Sequence, residues 1–236
     1  MSAPHRSLVL ILIAFTLLSL AFNTLTPLGE APDEVSHFSY VRHLAATSRL
    51  PEPQGTVFGE VFQPPLYYVL AAPLTTWLAP GSLPVEANSD WLLGDPYRGF
   101  NVLIHPAAAR WPWRGEALAW HLARLPSTVF GLVTLLATAG IARRTFPDHP
   151  WVAVAATAFV GFIPQFAFLS GAVSNDVLAT ALGALLLWQL ARIVTNPQAA
   201  GSGGQWALVG ALGGLGIWAK ASGWTFAATA LAAVLL

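Results

Sequence analysis

Asp33 and His37 stand four residues apart in Pro32-Asp33-Glu34-Val35-Ser36-His37. On a helix that spacing puts both side chains on one face. The pair suits a general base and its orienting partner, two ligands of a metal ion, or a plain Asp–His contact. Proline at a first helical position and acids in a first turn are also ordinary helix-start signals. Val35, Phe38, Val41, Leu44 and Ala45 follow at helical spacing, so a cap on an amphipathic surface helix reads equally well. A second cluster is Gln63-Pro64-Pro65-Leu66-Tyr67-Tyr68. Its prolines hold the chain extended before a helix, and its tyrosines are natural interfacial anchors.

Three further ionisable groups stand beside apolar runs. Arg124 lies in Ala123-Arg124-Leu125-Pro126-Ser127, where snorkelling to an interface is the ordinary explanation. Asp176 and Lys220 each stand alone between apolar stretches, and such isolated groups are functional candidates by default.

The elements that must position these residues are membrane spans. No charge occurs between Arg6 and Glu30, and Leu8 to Leu20 is almost continuously apolar; about 20 such residues cross a bilayer. Ser19-Leu20-Ala21 is also a passable signal-peptide cleavage site, but later spans make an uncleaved anchor the more natural reading. These later spans are expected at Leu125–Ala142, Trp151–Leu169, Val177–Ala191, Trp206–Ala219 and from Ala221 to the end. Leu66–Ala79 is apolar but short and contains Pro73. If it crossed, Arg143 and Arg144 would fall on the opposite side from Arg6, against the preference of basic residues for the cytoplasm. It is therefore read as lying at the outer interface.

The expected class is all-α: a polytopic transmembrane helix bundle with a large extracytoplasmic first loop carrying interfacial helices. Residues 1–25 form the first transmembrane helix, 26–119 the loop, and 120–236 transmembrane helices two to six. The apolar run still open at Leu235-Leu236 leads to the expectation that the last span is truncated and the chain is the N-terminal part of a longer protein. Nine of the eleven acidic residues lie between Glu30 and Glu116, which concentrates the polar chemistry in that loop.

Composition excludes other classes. Hydrophobic residues make up 55% and charged residues 9%, against about 25% charged in an ordinary globular domain; mean hydropathy is +0.59. Equal numbers of acids and bases rule out the basic excess of a nucleic-acid-binding domain. The absence of cysteine removes disulfides, thiolate metal sites and thiol catalysis.

In this order the pieces resemble the GT-C superfamily of polytopic glycosyltransferases, most closely the protein O-mannosyltransferase and lipid A aminoarabinose transferase group. Asp33-Glu34 is similar to that group's acidic pair after the first span. Gln63-Pro64-Pro65-Leu66 is similar to its Lys- or His-Pro-Pro-Leu motif, with glutamine in place of the base. Arg124-Leu125-Pro126-Ser127, Asp176 opening the fourth span and Lys220 closing the fifth match in turn. The resemblance implies an inverting transfer of sugar from a polyprenyl-phosphate-linked donor to a protein, lipid or glycan acceptor. The setting it implies is the extracytoplasmic face of the plasma membrane, in a multi-pass protein embedded in the lipid bilayer.

In that reading Asp33 and Glu34 are catalytic, with Asp33 as base and Glu34 orienting or structural. His37, Gln63, Tyr67, Arg124, Asp176 and Lys220 bind substrate, with Arg124 and Lys220 at the donor phosphate. No cofactor or metal is assigned, although some members of the superfamily use a divalent ion that Asp33, Glu34 and His37 could ligate. The alternatives are a transporter or flippase of lipid-linked substrates and a non-catalytic scaffold relative. The loop from Pro80 to Glu116 is long for the group and rich in tryptophan and proline.

Overall fold

A computed structural model describes residues 2–53, 59–89, 102–196 and 202–235. The fold is all-α, a helix bundle with almost no strand among the described residues. The first helix, α1 (Ala3–Leu25), is 23 residues long, about 35 Å at 1.5 Å per residue, enough to cross a bilayer core of about 30 Å. Two more helices are long and apolar enough to cross: α4 (Gly115–Thr145) and α7 (Asn175–Val194). Between α1 and α4 lie α2 (Glu34–Thr47), α3 (Leu66–Ala71) and a two-stranded antiparallel ribbon, β1 (Glu86–Ala87) with β2 (Leu103–Ile104), in which Glu86 pairs with Ile104. After α4 come α5 (Pro150–Gly161), α6 (Pro164–Leu169), α7, α8 (Gly203–Ala219) and α9 (Trp224–Leu235).

Three departures from the expected spans have physical causes. The second span was expected from Leu125, but α4 starts ten residues earlier and runs through Pro126. Its first turns are held by packing and ion pairs with the preceding segment, which no local propensity reveals. The third span, expected unbroken over Trp151–Leu169, is two helices. Pro164 forces Ile163 into an extended conformation (φ −62°, ψ 118°) because proline disfavours helical geometry in the residue before it. The last segment begins with a 3₁₀ turn at Ala221–Gly223 before α9. There a Cβ on Gly223 would lie 2.1 Å from the Gly216 carbonyl oxygen, so only glycine allows the approach.

Leu66–Ala79 was read as a segment that does not span. The α-helix there covers only Leu66–Ala71, followed by a 3₁₀ turn at Ala72–Leu74. Six helical residues reach about 9 Å, far short of a bilayer. The helical periodicity of α2 is also realised: Phe38, Val41 and Leu44 are buried. Phe38 stacks on Trp120 of α4 with ring centroids 4.2 Å apart, and Tyr40 stacks on Tyr68 of α3 at 3.9 Å. These aromatic pairs form the core that seats the segment between α1 and α4 on the end of the bundle.

The helices alternate in direction. Asn23 near the end of α1 meets His121 near the start of α4, while His5 and Arg143 line one cavity at the opposite end. Gln189 and Gln205 bond near the end of α7 and the start of α8, and Lys220 just after α8 returns to Asp176 at the start of α7. Arg6, Arg143, Arg144 and Arg192 therefore gather at one end of the bundle, and Asp33, Asp176 and Lys220 at the other.

Candidate active site

Glu34 is the first residue of α2, and Asp33 occupies the N-cap in the left-handed conformation, φ 56° and ψ 10°. The expectation of Pro32 and Asp33 inside the first helical turn is thus corrected by one turn boundary. A capping aspartate has an extended backbone and accepts an amide of the first turn; Asp33 does neither and makes no side-chain cap bond. Left-handed geometry costs an L-residue roughly 1–2 kcal/mol, less for aspartate, and strain of this kind concentrates at functional sites. The Asp33 side chain is exposed and lines a cleft of about 180 Å³.

Five of the eight expected site residues line this cleft: Asp33, His37, Gln63, Asp176 and Lys220. They come from four different turns and helix ends. Asp33 and His37 come from the start of α2 and Gln63 from the turn before α3. Asp176 belongs to the first turn of α7, where its charge complements the helix dipole and its amide is capped by Ser174 Oγ at 3.3 Å. Lys220 follows the last residue of α8. Lys220 Nζ donates to Asp176 Oδ1 at 2.5 Å, with the two side chains 27% and 50% exposed. Asn175 Nδ2 donates to Gln63 Oε1 at 3.2 Å, tying the start of α7 to the turn before α3.

His37 lies deeper. Its Nδ1 is 2.8 Å from the Tyr68 hydroxyl. Burial pushes the ring below the ordinary histidine value, against the opposing pull of the Glu60 and Asp33 carboxylates. Burial also pushes the Tyr68 hydroxyl well above the ordinary tyrosine range, so the bond joins a neutral ring to a protonated phenol.

The other three expected residues are elsewhere. Arg124 was expected at an interface, in contact with phosphate. It is 0% exposed, and its five N–H groups are committed. Nε and Nη2 donate to the two Glu34 carboxylate oxygens at 2.7 Å each. Nη1 donates to the Asn23 and Thr26 carbonyls at 2.6 and 3.0 Å, and Nη2 to the Pro27 carbonyl at 3.2 Å. Glu34 also accepts the Gly29 and Val173 amides at 3.0 and 2.9 Å. Five segments are joined there: the end of α1, the Gly29 turn, α2, α4 and the approach to α7. Tyr67 is buried against the Pro126 turn of α4, 3.2 Å from the Ala123 carbonyl and 2.9 Å from Ser127 Oγ. A phenol has one proton, so Tyr67 donates to the carbonyl and Ser127 donates to Tyr67.

Sequence reading missed Glu60 and the Arg42–Glu116 pair. Glu60 lines the cleft from a 3₁₀ turn that also leads to Gln63. Residues three apart eclipse in a 3₁₀ helix, a signal that needs the turn to be known first. Arg42 and Glu116 form a second buried bidentate pair, both bonds 2.8 Å. It clamps α2 to α4, and Arg42 also holds the Thr75 and Leu78 carbonyls. Among the described residues no group of three or more His, Cys, Asp or Glu is arranged to hold a metal.

The family model described as dolichyl-phosphate-mannose-protein mannosyltransferase matches residues 119–236. No curated protein and no solved structure matches the chain. The matched half contributes Asp176 and Lys220 to the cleft and Arg124 to the buried pair; Asp33, Glu34, His37, Gln63 and Tyr67 precede it. With half of its length matched, the chain belongs to the dolichyl-phosphate-mannose-protein mannosyltransferase family of membrane glycosyltransferases.

Proposed function

We propose that the chain carries the donor-side active site of an enzyme that transfers a sugar from a polyprenyl-phosphate-linked donor to an acceptor hydroxyl, with inversion. Asp33 takes the acceptor proton as the acceptor oxygen attacks the anomeric carbon. The bond from that carbon to the phosphate oxygen breaks in the same displacement, and the phosphate leaves with its added negative charge beside Lys220. A phosphate departs readily, so one positioned base suffices, and a cation at the leaving group stabilises the charge that develops on it. Asp176 holds Lys220 in place until the phosphate competes for it. His37 and Gln63 contact the sugar or acceptor from the floor of the cleft.

One observation supports this most. Asp33, from outside the family-matched region, shares a cleft with Asp176 and Lys220 from inside it, and Asp33 is held there in a left-handed conformation without capping anything. The Arg6, Arg143, Arg144 and Arg192 end of the bundle favours the cytoplasm, which supports the reading of an extracytoplasmic cleft at the plasma membrane. The acceptor is a hydroxyl-bearing protein, lipid or glycan.

Asp33→Asn keeps shape and removes the charge. In the complete protein, with radiolabelled polyprenyl-phosphate sugar as donor, transfer should fall by about 10²–10⁴-fold while insertion and folding persist. Near wild-type turnover would remove Asp33 from the chemistry.

A further inference from the structure

A second cavity, of about 400 Å³, opens where α1 ends, and it shares no lining residue with the Asp33 cleft. Leu25 and Pro27 line it together with Arg110, Trp111 and Trp113. Trp113 stacks on the buried His121 ring with centroids 3.7 Å apart, and Trp111 meets Trp113 edge-on at 5.1 Å. This fixes an aromatic wall, yet Trp111 remains 76% exposed. Arg110 is exposed and has no carboxylate partner among the described residues. Glu30 lies 3.9 Å from the cavity-lining His105, and its two oxygens already accept the Val102 and Leu103 amides at 3.2 and 3.0 Å.

The depth of this cavity is set by α1. Leu25 ends a 23-residue apolar helix and is 79% exposed, so one wall meets hydrocarbon at the boundary where tryptophan concentrates. A guanidinium offers a planar fork matched to phosphate oxygens. We propose that the cavity seats the phosphate headgroup of an anionic lipid. Arg110 binds the phosphate, Trp111 and Trp113 pack against the glycerol and first methylenes, and the acyl chains run along α1.

Native mass spectrometry of the full protein in detergent tests this, with phosphatidylglycerol, phosphatidylcholine and soluble glycerol 3-phosphate as probes. Phosphatidylglycerol should be retained in preference to phosphatidylcholine. Arg110→Gln should lower phosphatidylglycerol retention roughly tenfold, the loss of one charge-assisted contact, and lower phosphatidylcholine retention by less, because choline already offsets the charge of that lipid's phosphate. Arg110→Lys should recover part of the preference, which separates lost charge from misfolding. Trp111→Ala should weaken both lipids. Unchanged phosphatidylglycerol retention in Arg110→Gln would overturn the site. Displacement of the lipid by an equal concentration of glycerol 3-phosphate would overturn its assignment to a lipid.

Discussion

Asp33 and Glu34 are neighbours in sequence and opposites in environment. Glu34 is fully buried, its carboxylate filled by a bidentate arginine and two amides. Asp33 is exposed, caps nothing and shares a cleft with the partly exposed Asp176–Lys220 ion pair. The difference teaches how the two acids divide their work. A charge that is buried and saturated positions the backbone around it, and a charge left open remains available to a substrate. The left-handed turn at Asp33 is the joint between them, because it directs successive side chains into different surroundings.

That contrast is broken most severely at the buried pair. Glu34→Gln leaves the Arg124 guanidinium buried and uncompensated, which typically costs about 3–5 kcal/mol. The expected result is loss of folded protein, measured as a large drop in the temperature at which the detergent-solubilised protein leaves its size-exclusion peak. Asp33→Asn in the same assay should behave as wild type. Adding Arg124→Met to Glu34→Gln should recover part of the stability, since removing both charges is milder than removing one. Equal sensitivity of Asp33 and Glu34 variants would erase the division of labour.

A smaller effect is expected on the other side of the cleft. The Asp176–Lys220 pair is partly solvated, and pairs of that kind contribute about 0–1 kcal/mol to stability. Lys220→Ala should therefore fold normally. If Lys220 binds the leaving phosphate, the variant loses a charge-assisted hydrogen bond worth about 1.5–3 kcal/mol, and the donor concentration for half-maximal transfer should rise at least tenfold. A fold-preserving Lys220→Ala with unchanged donor saturation would return Lys220 to a surface ion pair.

The two regions also differ in how far the sequence made them legible. Isolated Asp176 and Lys220 stood out because an apolar chain has few reasons to keep a charge, and both line the cleft. Arg124 stood out for the same reason but was expected at an interface. Composition marks a charge as unusual and is silent on whether a partner 90 residues away satisfies it. The three long spans were readable from run length, and the break at Ile163–Pro164 was hidden inside a run of uniform hydropathy. Glu60, Arg42 and Glu116 were not legible because their roles depend on how the segment between α1 and α4 folds back, which no periodicity encodes.

The smallest expected effect concerns His37, which lies between the two regions: it lines the cleft yet is buried against Tyr68. Its folded-state value is lowered by burial, with Glu60 and Asp33 opposing, while the unfolded ring titrates near 6.5. Between those two values the unfolded chain binds more protons than the native one, so stability rises with pH there. Stability linked to His37 is therefore fully present above about pH 6.5 and is lost as pH falls through the folded value. His37→Gln keeps a polar partner for Tyr68 and removes the titration. The unfolding temperature of wild type should fall further than that of His37→Gln as pH is lowered from 7.5 to 5. Parallel pH profiles would mean that the ring gains as much from the cleft carboxylates as it loses by burial, and that it belongs electrostatically to the open region.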